Sequence, residues 1–165
     1  MFNMDHLSRS KDIRKNDQGV WEVRIKLKPM EVHEIAFLNK TLFYKDAAVL
    51  ELSSQEELDE LVTLMKSNLG YKIVLHSHCN PGKKREIKVP VEDTNYFDLE
   101  ATTEKNGSDK LLTKKRADVV RNYLLANGIS KKRIQMVAWG SKEPIVSSTS
   151  KDASLNERIE IELVN

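Results

Sequence analysis

The last pattern in the chain is its clearest: Ile159, Ile161 and Leu163 alternate with Arg158, Glu160 and Glu162. A period of two gives a strand with one apolar and one polar face. The apolar face needs a covering layer, so the fold must be a sheet packed on at least one side. A second alternation lies near the start. Trp21, Val23, Ile25 and Leu27 interleave with Glu22, Arg24, Lys26 and Lys28, and Pro29 ends the run. A further strand is expected near residues 36–44. Another over 71–77 carries Ile73, Val74 and Leu75 as a continuous apolar run, which suits the centre of a sheet.

Two helices supply the cover. Ser54 and Glu57 have the spacing of a capping box, and Leu58, Leu61, Val62 and Met65 form an apolar stripe at helical spacing. The second helix is expected from about 114 to 126, with Thr113 as its cap and Ala117, Val120, Tyr123 and Leu124 as its buried stripe. Asn127-Gly128 reads as a left-handed stop, with Ile129 packing back on the helix. A strand over 133–139 follows. Residues 79–111 read as irregular: Asn80-Pro81-Gly82 signals a turn, Pro90 argues against a central strand, and the stretch to Gly107-Ser108 is polar. The order strand, strand, helix, strand, long loop, helix, strand, strand gives an α+β chain, with both helices on one face of a mixed sheet. Residues 1–18 read as a flexible lead-in and 19–165 as one domain.

Charge excludes some functions. With 27 Lys and Arg against 25 Asp and Glu, the net charge is +2, so no global basic field argues for nucleic acid. Cys79 is the single cysteine, which rules out an intramolecular disulfide and a four-cysteine zinc site. No stretch is long and apolar enough for a spanning helix, and residues 1–15 hold no apolar run of a signal peptide. The chain is therefore read as cytosolic or as a piece of a longer exported protein.

One local patch stands out. Lys114, Lys115 and Arg116 crowd the expected start of the second helix, where cations are disfavoured by roughly 0.3–1 kcal/mol each. A forked arginine at a helix N-terminus makes a receptor for a carboxylate or phosphate. The opposing reading is a solvated basic run with Arg116 paired to Asp109 or Asp118. His76 and His78 fall on one side of a strand and could hold zinc, but they read better as ordinary sheet residues, and no metal or cofactor is expected. Cys79 lacks an activating constellation for nucleophilic catalysis, so no enzyme activity is expected. Trp21 and Trp139 read as core or sheet-face residues.

Several motifs then fall in order. Leu112-Thr113-Lys114-Lys115-Arg116-Ala117 through Tyr123-Leu124 and Gly128-Ile129 resembles the "LSxxRAxxVxxYLxxxGI" signature of OmpA-like domains, peptidoglycan-binding modules of the bacterial envelope that include the flagellar stator proteins. Trp139-Gly140-Ser141-Lys142-Glu143-Pro144 resembles "GxGExxP", and Asn156-Glu157-Arg158-Ile159-Glu160-Ile161 resembles "NRRVEI". The run from Lys72 to Asn80 resembles a strand ending in "HTD", and residues 42–58 resemble the family's opening motif.

The resemblance implies an OmpA-like two-layer sandwich, a β-α-β-α-β-β core with an N-terminal strand and an insertion at about 81–108. It implies non-catalytic, non-covalent binding of peptidoglycan through the carboxylate and amine of diaminopimelate. It places the protein in the periplasm, within a larger outer-membrane-associated or lipid-anchored protein and with no membrane insertion by this segment. In the family an aspartate after the central strand and an arginine on the next helix hold the ligand. The arginine carries over to Arg116, and the closing-motif arginine to Arg158 on the same site. The aspartate position holds Asn80, the family threonine is Cys79, and the asparagine before the helix is Asp109. The candidate ligand-binding set is Asn80, Asp109, Thr113, Arg116 and Arg158. Asn80 cannot neutralise an ammonium group, which weakens that contact by about 1 kcal/mol. Asp93, Asp98 or Asp109 could supply the charge, or the insertion could cover the site. The alternative function is an OmpA-like scaffold that binds other envelope proteins.

Overall fold

The computed structural model describes residues 13–15, 17–19, 21–23 and 30–164, except 83 and 94. Its core is a four-stranded mixed sheet in the order β3-β8-β4-β7. The strands are β3 (Ile35–Phe37), β4 (Lys72–His78), β7 (Ile134–Gly140) and β8 (Arg158–Val164). β4 runs parallel to β7 and antiparallel to β8, which also pairs antiparallel with β3. The apolar run of β4 is therefore central, as its composition predicts. The parallel step from β4 to β7 requires a crossover, which α2 (Asp109–Ala126) supplies.

The alternation in β8 does what the sequence demands. Ile159, Ile161 and Leu163 are buried against α1 (Gln55–Ser67) and α2, in one cluster with Leu58, Leu61, Met65, Ile73, Leu75, Val120 and Leu124. Both helices share this cluster, so the chain is α+β with its helices on one face. Gly128 adopts φ +87°. Gly128 N–H donates to Leu125 O at 2.9 Å and Ile129 N–H to Leu124 O at 3.0 Å, the two bonds of a Schellman stop.

Four local expectations are corrected. The strand near 36–44 shrinks to Ile35–Phe37, with only an isolated bridge between Phe43 and Leu50 beyond it. Ser54 is not the helix cap, because it already has helical dihedrals at the end of a 3-10 turn. Its hydroxyl instead takes a hydrogen bond from Leu42 N–H at 2.9 Å and donates to Leu42 O at 3.0 Å. Glu57 turns to Lys40 N–H and Thr41 Oγ1. Together they tie the 40–42 loop to α1. The third correction is the start of α2. The helix begins at Asp109 with Ser108 as its cap, the Ser108 hydroxyl accepting from Leu111 N–H at 3.3 Å. The fourth lies in the stretch read as loop, where β5 (Arg85–Pro90) and β6 (Thr102–Gly107) form an antiparallel ribbon. Pro90 is the last residue of β5, and the pairing runs one bond further, from Val91 N–H to Ala101 O at 3.1 Å.

The ribbon is not loose. Ala48 N–H donates to Lys88 O and Lys88 N–H to Asp46 O. Ile87 and Val89 pack with Cys79 and Leu112 in a second small cluster. Beyond β5, Tyr96 and Phe97 meet Tyr123 edge-on, at 5.2 and 6.0 Å between ring centroids. At the N-terminus, β1 (Ile13–Lys15) pairs antiparallel with β2 (Trp21–Val23). The strand expected over residues 21–28 is thus described only at 21–23; its remainder, the Pro29 stop and residues 1–12 lie outside the described residues.

Candidate functional site

Arg116 lies seven residues past Asp109, two turns into α2, where the helix dipole no longer acts on it. The helix dipole therefore does not account for this residue. What sets its position is the helix period: Leu112, Arg116, Val120 and Leu124 are spaced by four and all are buried. The arginine is built into the core-facing stripe and is 3% exposed.

Its guanidinium is held on several sides. Nε donates to Ala47 O at 3.0 Å and Nη2 to Tyr44 O at 3.3 Å. The group lies 4.9 Å from the Phe43 ring centroid, a cation–π distance. Nη1 donates to the Glu157 carboxylate. The acid that meets Arg116 is thus Glu157, at the head of β8, and not Asp93, Asp98 or Asp109. Nothing in the sequence pattern singled out Glu157; the one signal was that it stands where the closing motif has arginine.

Asn80 follows β4 and is adjacent. Its backbone N–H donates to Glu157 Oε1 at 2.9 Å, its Nδ2 donates to Ala153 O at 2.7 Å, and its Oδ1 accepts from Asn156 Nδ2 at 3.0 Å. Asn80 therefore braces the loop before β8. Thr113 braces the other side. It is fully buried, its hydroxyl accepts from Gly140 N–H at 3.1 Å, and it donates to the carbonyls of Asp109 and Lys110. It is an interior helix residue that anchors α2 to the end of β7, not the expected cap. Gly140 adopts φ +65°, and a Cβ there would sit 3.2 Å from Lys110 N, so the α2 start rests directly on it.

Asp109 occupies the first turn of α2, where a carboxylate suits the dipole. Arg85 Nε donates to its Oδ1 at 2.8 Å, Ser141 Oγ to its Oδ2 at 2.8 Å, and Gly82 N–H to both oxygens at 3.1 and 3.2 Å. Burial would raise its carboxyl pKa, but the bonds from Arg85, Ser141 and Gly82 outweigh this and hold it below the usual range. Arg85 comes from β5 in the insertion and also donates to Asp46 and to Asn80 O. The insertion thus reaches into the cluster through one arginine.

Cys79 lies among these charges. It is 2% exposed, and its thiol is pushed up to about 12, first by burial and then by Glu157 and Asp109. A thiol held protonated is no nucleophile at neutral pH.

Arg158 does not join the cluster, against the expectation that it lines the same site. Successive strand residues face opposite sides. Arg158 projects from the face away from the helices, where its Nε donates to Glu160 Oε1 at 2.7 Å and its guanidinium lies 5.9 Å from the Phe37 ring. His76 and His78 share that face. His76 Nε2 lies 3.0 Å from Glu162 Oε2, Trp139 Nε1 donates to His76 Nδ1 at 3.0 Å, and both imidazoles stack on Trp139. His78 Nε2 is 3.5 Å from Glu160 Oε2.

Beside the cluster opens a groove of about 710 Å³ whose lining includes Gly82, Lys84, Asp109, Lys110, Trp139 and Lys142. Asp109 and Gly82 link it to the interior residues. Three lysines from three separate segments give its rim a positive character.

The sequence model of the OmpA family matches residues 42–158. No curated protein matches the chain in sequence. Among solved structures, a MotB-like protein from Desulfovibrio vulgaris superposes with a TM-score of 0.59 at 17% identity, over 79% of this chain and 73% of that one. The periplasmic domain of Helicobacter pylori MotB gives 0.58 at 15% identity, over 93% and 88%. The peptidoglycan-associated lipoprotein of Burkholderia pseudomallei gives 0.53 at 19% identity, over 75% and 86%. At these identities the likeness shows a shared fold.

Proposed function

The chain belongs to the OmpA family, and on that premise we propose that it is a non-catalytic module that binds the peptide stems of cell-wall peptidoglycan in the periplasm. Arg116 carries the reading. A buried guanidinium, fixed by two backbone carbonyls and an aromatic ring, presents its remaining edge to a carboxylate. That is a preorganised carboxylate receptor, because the fork is already oriented before any ligand arrives. The ligand group is the free carboxylate of diaminopimelate. Asn80, Asp109 and Thr113 hold the walls around this arginine in place. The lysine-rimmed groove, which meets the cluster at Asp109 and Gly82, suits a chain of anionic stems. Among the described residues no helix is long and apolar enough to cross a membrane.

The purified protein is expected to co-sediment with insoluble peptidoglycan, and Arg116→Ala to stay in the supernatant. Arg116→Lys keeps the charge but loses the fork, and should bind weakly. Wild-type protein that remains soluble beside the wall at low salt would end this reading.

A second reading has one observation behind it. Each Arg116 nitrogen already has a partner within the chain. A scaffold that has given up wall binding and holds an envelope protein would look the same, and it predicts no sedimentation with the wall.

A further inference from the structure

The candidate site needs an acid as well as an arginine, and Asn80 cannot serve. Its side-chain amide is committed at both ends, to Ala153 O and to Asn156. An amide so bound has no charge to offer and no free acceptor aimed at Arg116. The carboxylate of Glu157 stands between the two. One oxygen accepts from Arg116 Nη1 and the other from Asn80 N–H. The Glu157 side chain is 30% exposed, against 3% for Arg116, so the carboxylate is the outward member of the pair. A ligand approaching the guanidinium meets Glu157 first.

We infer that Glu157 is the acidic half of the receptor, and that the two residues together take an α-amino-acid head group, an ammonium and a carboxylate on one carbon. The inference rests on the proposed wall-binding reading. Glu157 has a partner within reach in either state. Without ligand its carboxylate pairs with Arg116. With ligand, the incoming carboxylate takes the Arg116 edge and Glu157 turns to the incoming ammonium. One ion pair becomes two, and no charge is left unpaired in a partly buried place. A stem ending in an amine with no neighbouring carboxylate, or in an amidated carboxylate, would satisfy only half of the pair. The site therefore selects for a free diamino-acid terminus.

The test uses the full chain, insoluble peptidoglycan containing diaminopimelate, and meso-diaminopimelate in calorimetric titration. Glu157→Gln should weaken both by at least about tenfold, the loss of one charge-assisted hydrogen bond. Glu157→Asp, which keeps the charge, should retain most of the binding and controls for folding. Asn80→Asp added to Glu157→Gln should recover part of the affinity. Glu157→Gln binding as tightly as wild type, or more tightly, overturns the inference: Glu157 would then be an internal occupant that the ligand must displace. Wild type and all variants failing alike to sediment would remove the wall-binding reading and this inference with it.

Discussion

Arg85 Nε donates to Asp109 Oδ1 at 2.8 Å, so a strand of the insertion is pinned to the first turn of α2. The same guanidinium reaches Asp46 and the Asn80 carbonyl. The insertion is therefore part of the site's frame, joining the loop before α1, the end of β4 and the start of α2.

Asp109 makes acid stability dependent on this joint. Its folded carboxyl lies below the usual range because the bonds from Arg85, Ser141 and Gly82 outweigh the effect of burial. A depressed carboxylate stabilises the fold above its unfolded pKa of about 3.9, and that contribution fades as pH falls through the folded value. Asp109→Asn should be less stable than wild type by a steady margin from about pH 5 to 7. The margin should narrow below about pH 3.9. Urea midpoints across this range decide it, and a margin unchanged at the acid end would show that the bonds do not stabilise the carboxylate.

Two glycines should respond differently to alanine. Gly128 has open space around its missing Cβ, so Gly128→Ala bears only the left-handed backbone cost, about 1 kcal/mol. Gly140 has the same kind of dihedral and a backbone nitrogen 3.2 Å from the added atom. Gly140→Ala should cost more and shift the start of α2. Thermal melts rank the pair, and equal losses would mean that α2 does not rest on Gly140.

Cys79 should be silent in the folded protein. Its thiol is buried and pushed up to about 12. Iodoacetamide at pH 8 should leave it unmodified in the native state and label it fully in denaturant. Rapid native labelling, read by mass spectrometry, would show that the cluster around Arg116 opens freely.

Arg116→Ala should destabilise, but by less than the about 3–5 kcal/mol typical of breaking a fully buried pair. Glu157 is 30% exposed and can be rehydrated when its partner is gone. Denaturant unfolding gives the figure. A larger loss would mean that Arg116 serves chiefly the core.

The sequence made the sheet and the α2 stop legible because their signals are local. The β8 alternation and the Asn127-Gly128 turn need no distant partner to be read. The start of α2 was hidden because Ser108-Asp109-Lys110 is polar and follows a stretch without periodicity, while the buried Leu112 is the first residue of the helical stripe. β6 carries no period of two because its interior residues are all exposed, so Thr102–Gly107 read as loop. Arg116 is marked in the sequence by its motif and by the expected helix dipole; the structure removes the dipole as a reason and places the side chain by the core stripe. Glu157 escaped notice because its partner is 41 residues away in sequence and no local pattern joins them. Arg158 was drawn to the site by its motif, and strand alternation sends it to the other face.

Carboxylate binding at Arg116 is read out by a titration of meso-diaminopimelate into ¹⁵N-labelled protein, observing the Arg116 Nε–H resonance together with the Asn80 and Gly140 amides. A saturable shift of all three is expected, with a much weaker response to the ligand with its carboxylates amidated. No shift at Arg116 up to the solubility limit of the free ligand, in protein that still sediments with the wall, would place wall binding elsewhere and rule out Arg116 as the carboxylate receptor.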